Sequence, residues 1–517
     1  MAKKTELSKE SAIGLSGVIL LIVEAFLLLG NGGFFEESIL IAGVVITALT
    51  FYKKEFFRLS VSQMLLLGFS AWYFICSVKD GFVIEYASRG LIPFVVFLFW
   101  IAISQEKINK DKLADILLEI SIWIAVVGVL WTVVDSVKAY SLVRLRFPFD
   151  YSNASGIYFA MCCFMSERSK TKFVKRAKYL FLAALLLTQS VGAIGVFALA
   201  AAYRLICCKK YKWLVVSTLL LVAFAILFKD RVVESAGTFV ERLLHMYDGA
   251  LCFRDNLVFG IGAGRWEIAK QYYQTGFYSA NTIHSSIVQI GVNSGIIGLM
   301  LFGLVVVFAL KDCKKHNKDT LIPLMILAHS MFDFTLSFMA INVMLVITIS
   351  CQKEERIEAE PLFSCTAGTA LILVFGFLLS GIYNAQLFCN SISKGASITA
   401  LSDNYNRSYT LKKSMKATRS YAASLYAEKY YDADTSLENC KYLPTEIILY
   451  ESMSDEKEGR YLIERLGEQA YNTTLRDIII NDFSDDVAAQ ASEIVDKAAD
   501  KASYFGKILY NLKGENL

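Results

Sequence analysis

Residues 283–310 read IHSSIVQIGVNSGIIGLMLFGLVVVFAL. After His284 nothing in this run ionises, and the run exceeds the ~20 residues that a helix needs to cross a bilayer. Gly291, Gly295 and Gly298 follow His284 by 7, 11 and 14 positions. At about 100° per residue, a continuous helix holds all three within roughly 40° of the histidine. Small residues let a neighbouring helix approach closely. His284 is therefore expected above a glycine stripe, at the water boundary and pointing into a bundle. Position alone favours the simpler reading of a histidine that anchors at the interface.

The rest of the chain repeats the apolar pattern. Of 517 residues, 55% are hydrophobic and only 19% are charged, against about 25% charged in a soluble domain. Thirteen apolar runs can be read between residues 12 and 385, among them 153–166, 179–190, 191–208, 320–338 and 362–385. The expected fold class is all-α: a polytopic membrane protein of about 12–13 transmembrane helices over residues 1–385. Residues 386–517 follow as a helical domain carrying 16 basic and 20 acidic residues. No basic cluster there resembles a nucleic-acid surface, so no nucleic-acid partner is expected. The eleven cysteines show no C-x-x-C, zinc or redox spacing.

Lys and Arg divide the loops into two sets. Placing the N-terminus in the cytoplasm gives 24 basic residues in the inner segments and 11 in the outer ones, the direction the positive-inside bias requires. With an odd number of spans, residues 386–517 then lie outside the cytoplasm. Two outer segments are long, 138–153 and 229–282, and long loops without an obvious fold are often functional. In the tail, residues 408–434 read as one helix. Thr445 is expected to cap another after Pro444, and Ser484 one that runs to residue 512. The tail has room for about three helix pairs of ~34 residues. A tetratricopeptide-like array is one reading of it, although no repeat consensus is present.

The chemistry gathers in residues 241–298, ERLLHMYDGALCFRDNLVFGIGAGRWEIAKQYYQTGFYSANTIHSSIVQIGVNSGIIG. His284-Ser285, nine residues and then Gly295-x-x-Gly298 fit the pattern H-[NSQ]-x9-G-x-x-[GTY]. This stretch resembles the O-antigen ligase family, which shares its core with bacterial polysaccharide polymerases. Gly260-Ile261-Gly262-Ala263-Gly264-Arg265-Trp266 resembles that family's turn before the helix of the long loop. Arg242, followed by Asp248, resembles its arginine at the start of the long segment, and Arg146 with Tyr151-Ser152-Asn153 resembles an earlier arginine-containing stretch. His329-Ser330-Met331-Phe332-Asp333-Phe334 resembles a motif of relatives with helical tails. The resemblance covers about 120–385. One departure is Ser190-Val191-Gly192, where the family pattern has Ser-Arg-Gly.

The resemblance implies transfer of a glycan from an undecaprenyl-diphosphate-linked donor to an acceptor hydroxyl, with membrane lipid as a further partner. These residue types suit that reaction. A diphosphate leaving group calls for arginine forks, here Arg146, Arg242 and Arg265. A weak hydroxyl nucleophile calls for a base that titrates near neutrality, here His284. His329 and Asp333 read as an i,i+4 pair on one face of a span, in support of the site or as a structural hydrogen-bonded pair. No carboxylate pair at metal-ligand spacing lies in the outer segments, so neither metal nor cofactor is expected. Two other readings are a transporter or flippase of lipid-linked glycans and a non-catalytic anchor for the tail. A transporter should line several spans with polar groups, whereas here polar chemistry gathers in one outer loop. An anchor needs no such loop.

Overall fold

A computed structural model describes residues 14–51, 55–105, 110–278, 280–350, 356–358, 361–427 and 455–513. The architecture is all-α apart from a three-residue ribbon that pairs Glu55–Phe57 antiparallel with Arg356–Glu358. Among the described residues, five helical segments are long and apolar enough to cross a membrane: Val61–Val78, Ile84–Ser104, Lys110–Ala139, Ser286–Lys315 and Ser364–Ser393. Shorter apolar helices, including Leu15–Leu29, Val191–Cys207, Leu321–Ser330 and Met339–Ile349, pack among them. The chain is a multi-pass membrane protein.

Its centre is the helix Ser152–Ser166, in which all 15 residues are buried. Lys178–Leu187, Val191–Cys207 and Lys110–Ala139 surround it. The runs 179–190 and 191–208 form two helices because Ser190 takes extended backbone and accepts a hydrogen bond from Ala193 N. A serine at this position satisfies one of the orphan amides of a new helix. Val61–Val78 starts in the same way, with a reciprocal capping box between Ser60 and Gln63.

The helix Ser286–Lys315 connects the two faces of the bundle. Its far end lies near Asp319, which pairs with Arg168 at 2.5 Å and Arg204 at 3.5 Å. This opposite face carries many of the basic loops. The near end carries His284, and the candidate site is built there.

Several expectations change. The segment 229–282 is largely helical: Lys229–Asp255 forms a helix of 27 residues and Trp266–Tyr273 a shorter one. The run 320–338 is not one span. Its helix ends at Ser330, and a short 3-10 turn, Thr335–Ser337, precedes the next helix. The last span does not stop at 385 but continues to Ser393.

In the tail, the described part of 408–434 divides into Tyr409–Lys412 and Met415–Ala427, and residues 428–434 lie outside the described residues. Ser484 does precede a helix, Asp485–Lys501, but that helix breaks at Ala502 before Tyr504–Lys513. The helix expected from Thr445 lies outside the described residues. The tail does not stand apart from the bundle. Leu401, Tyr405, Leu411 and Tyr421 pack on Ala385 and Phe388 of the last span. Leu509 of the final helix packs on Leu244 and Tyr278. Between these contacts, Leu462, Leu466, Leu475, Ile479 and Ala491 form a small core of their own.

Candidate active site

Ser285 decides where His284 goes. It caps the helix Ser286–Lys315, accepting from Val288 N at 3.3 Å with extended backbone of its own. His284 is thereby held two residues before the helix rather than on it. The expected continuous stripe is also broken. Gly295 has φ +67° and opens the helix ladder, a conformation that suits glycine alone.

Three carbonyls at that opening find donors from outside the helix. Ile261 N reaches Val292 O at 2.8 Å, Gly262 N reaches Asn293 O at 2.9 Å, and Trp72 Nε1 reaches Ser294 O at 2.8 Å. In return, Ile296 N donates to Leu257 O at 2.7 Å. The glycine turn is thus inserted into the helix backbone, which gives the buried peptide groups the partners they require. The three glycines meet different neighbours: Gly291 faces Phe253, Gly295 the backbone of Leu257 and Val258, and Gly298 faces Trp72.

Around His284 lies a connected polar network whose hub is Asp333. Its carboxylate accepts from Tyr151 Oη at 3.0 Å and from Asn153 Nδ2 at 2.9 Å. Arg242 Nη2 lies 3.3 Å from it, while Arg242 Nη1 donates to Phe332 O at 2.9 Å. The Asp333 carbonyl accepts from both the amide and the hydroxyl of Ser286 at 3.0 Å. Asn153 Oδ1 in turn accepts from Ser190 Oγ at 2.8 Å. The serine kept at the departure from the family pattern is therefore part of the network.

These bonds explain why the 320–338 run bends. Asp333 Oδ1 takes the amide of Phe334 at 2.8 Å, and the chain exchanges helix bonds for side-chain bonds. His329 and Asp333 are consequently not an i,i+4 pair on one helix. His329 Nδ1 bonds Thr335 Oγ1 at 2.6 Å and lies beside Gly192, while Asp333 turns to Tyr151, Asn153 and Arg242.

His284 sits among rings. Phe334 lies edge-on at 5.2 Å, and His245 stacks at 5.2 Å with planes 22° apart. Among the described residues, His284 Nδ1 is buried without a hydrogen-bond partner. Burial lowers its pKa from the ordinary histidine value, and Asp333 opposes this. The ring is therefore neutral near pH 7 and has a lone pair to offer.

The arginines separate. Arg242 is in the network. Arg146 is exposed, without an ion-pair partner among the described residues, and its carbonyl accepts from Ser155 Oγ at 2.5 Å. Its neighbour Arg144 was not singled out from the sequence, yet it bonds Thr188 O at 3.0 Å and approaches Asn153 Oδ1 at 3.4 Å. Burial, then the charges of Arg231 and Arg146, lower the Arg144 pKa to about 10. Like charges held together in this way favour a polyanionic neighbour. Arg265 lies elsewhere, over the Tyr86 ring at 4.8 Å.

His245 was also missed, although it was legible as one of only four histidines in the chain. His245, His284 and His329 are all on this face.

Residues 177–303 match the family model described as O-Antigen ligase. The matched segment contains Arg242, Arg265, His284, Gly295 and Gly298, whereas Arg146, His329 and Asp333 flank it. No curated protein matches the chain.

Proposed function

We propose that this chain, whose residues 177–303 match the O-antigen ligase family model, transfers a glycan from an undecaprenyl-diphosphate carrier to an acceptor hydroxyl at the outer face of the cytoplasmic membrane. That match supports a membrane glycosyltransferase role of the ligase or polymerase type. The observation that carries the finer reading is the junction of a neutral, half-buried His284 with the Arg242–Asp333 network, beside Arg144 and Arg146.

In this reading His284 removes the proton of the acceptor hydroxyl as its oxygen attacks the anomeric carbon. The bond from that carbon to the diphosphate oxygen breaks, and the electron pair leaves with the diphosphate. Arg242, Arg144 and Arg146 offset the charge that develops there. Asp333 holds Arg242 in place, and Tyr151 and Asn153 hold Asp333. Arg265 has no part in this centre.

The reading is tested by purified protein and a lipid-linked glycan donor. His284→Ala and Arg242→Ala should leave donor unconsumed while inserting normally. Full transfer by a well-inserted His284→Ala protein would end the assignment. Orientation is tested in a cysteine-free background: single cysteines at Lys172 and Asn481 should label from opposite sides, and labelling from one side would refute it.

A further inference from the structure

Arg265 does not join the His284 network, and its surroundings have a character of their own. A cavity of about 510 Å³ lies between the turn at 79–83, the glycine turn and the tail segment 412–418. Its rim carries four bases, Lys79, Arg265, Lys412 and Lys413, against the single acid Asp80. Asp80 is already shared, with Lys79 at 2.6 Å and Arg265 at 4.0 Å.

The nearby carboxylates are committed elsewhere. Glu85 accepts from Ser414 Oγ and from the amides of Met415 and Lys416, and Glu267 pairs with Arg419 at 2.7 Å. Among the described residues Lys412 and Lys413 have no carboxylate partner.

The cavity wall is held firmly. Ala263 N donates to Ser77 Oγ at 3.2 Å. Gly262 and Gly264 have positive φ, and a Cβ on either would fall 2.7 Å from Cys76 O or 2.9 Å from the Tyr86 ring. Arg265 Nη2 donates to Gly81 O at 3.4 Å, while its Nε is buried without a hydrogen-bond partner among the described residues. On the tail side, Ile84 N donates to Lys413 O at 2.8 Å. This fastens the lysine-bearing turn to the start of a membrane helix.

We propose that this cavity is a second anion subsite, separate from the His284 network, that takes a phosphate group at the membrane boundary. A concave site with excess positive charge and a guanidinium fixed on an aromatic ring is suited to phosphate. The tail supplies two of the four bases, so the subsite is complete only when the tail is docked. The phosphate can come from the headgroup of an anionic phospholipid or from a soluble phosphate-bearing ligand. The inference does not depend on the transfer reaction.

The test uses the full-length protein and two probes. Pyrophosphate binding is measured by calorimetry in detergent at low salt. Retention of phosphatidylglycerol is measured by native mass spectrometry after exchange through nanodiscs of phosphatidylcholine with and without it. At least one probe should bind, tenfold or more weakly in Lys412→Glu/Lys413→Glu, and salt should weaken it. The same loss should appear in an Arg242→Ala background, which excludes the His284 network as its source. Binding of the lipid alone would assign the headgroup, and binding of pyrophosphate alone the soluble ligand. If the charge reversal does not fold, Lys412→Gln/Lys413→Gln should give a smaller loss in the same direction. Absence of binding in both arms, or unchanged binding by a variant of wild-type melting temperature, would overturn the proposal.

Discussion

Arg242 Nη2 stands 3.3 Å from Asp333 Oδ2, and this contact joins the long helix Lys229–Asp255 to the turn after Leu321–Ser330. Asp333 is 1% exposed and Arg242 19%, so the pair is shielded enough to matter. Removing one partner of a shielded pair leaves a charge that the other donors only partly satisfy.

Arg242→Ala is expected to lower the melting temperature as well as transfer. Asp333→Asn should cost less, because Tyr151 and Asn153 remain as neutral partners. The double variant should be more stable than the sum of the single effects predicts, by about 1–3 kcal/mol. Strict additivity in a thermal-melt cycle would show that the pair is not coupled.

His284→Ala is expected to reduce transfer by about 10²–10⁴-fold, the usual contribution of a general base. The folded pKa of His284 is lowered by burial. Activity should therefore be flat through neutrality and fall as pH drops below the lowered pKa, on the acid side of about 6.5. The stability contributed by the neutral ring has the same sign: present above the unfolded pKa and lost as pH falls through the folded one. A rate profile whose acid limb lies above pH 7 would contradict the neutral-ring geometry.

His245 is expected to position His284 through the 5.2 Å stack. His245→Phe keeps a flat ring and should retain more transfer than His245→Ala. Equal activities for the two variants would mean that the stack does not hold His284.

Glycine substitutions should divide by location. Gly295→Ala forces positive φ on a side chain and drives a Cβ into the backbone of Val258, at a cost on the order of 3 kcal/mol. Gly303 lies in the same helix with nothing near its missing Cβ, so Gly303→Ala should be neutral or stabilising by up to about 1 kcal/mol. Similar melting temperatures for the two variants would argue against the inserted turn.

Gly506 packs on Gly276, and its Cβ would meet Thr275 O at 2.5 Å. Ser503 N also donates to Thr275 O at 2.9 Å. Gly506→Leu should detach the final helix and speed amide exchange in both 504–513 and 275–278. Faster exchange in the tail alone would show that the tail does not hold that loop.

Membrane character, helical class and the O-antigen ligase resemblance of residues 177–303 were legible in the sequence because they rest on local composition and spacing. Transfer of apolar residues into lipid sums along a run such as 283–310 without reference to any other run. The histidine pattern and the glycine turn likewise lie within one short segment. Other features required the folded chain. Tyr151 and Asp333 are 182 positions apart, so nothing local marks their bond, and the same is true of Arg144 with Thr188. The bend that separates His329 from Asp333 follows from donors on other helices, against an apolar pattern that reads as one span. Arg265, beside glycine and tryptophan in sequence, was assigned with the other arginines. Only the packing of its turn on Ser77 and Tyr86 put it in a different cavity. Polar groups in a low-dielectric interior go where partners exist, and the tertiary structure alone decides which partners are within reach.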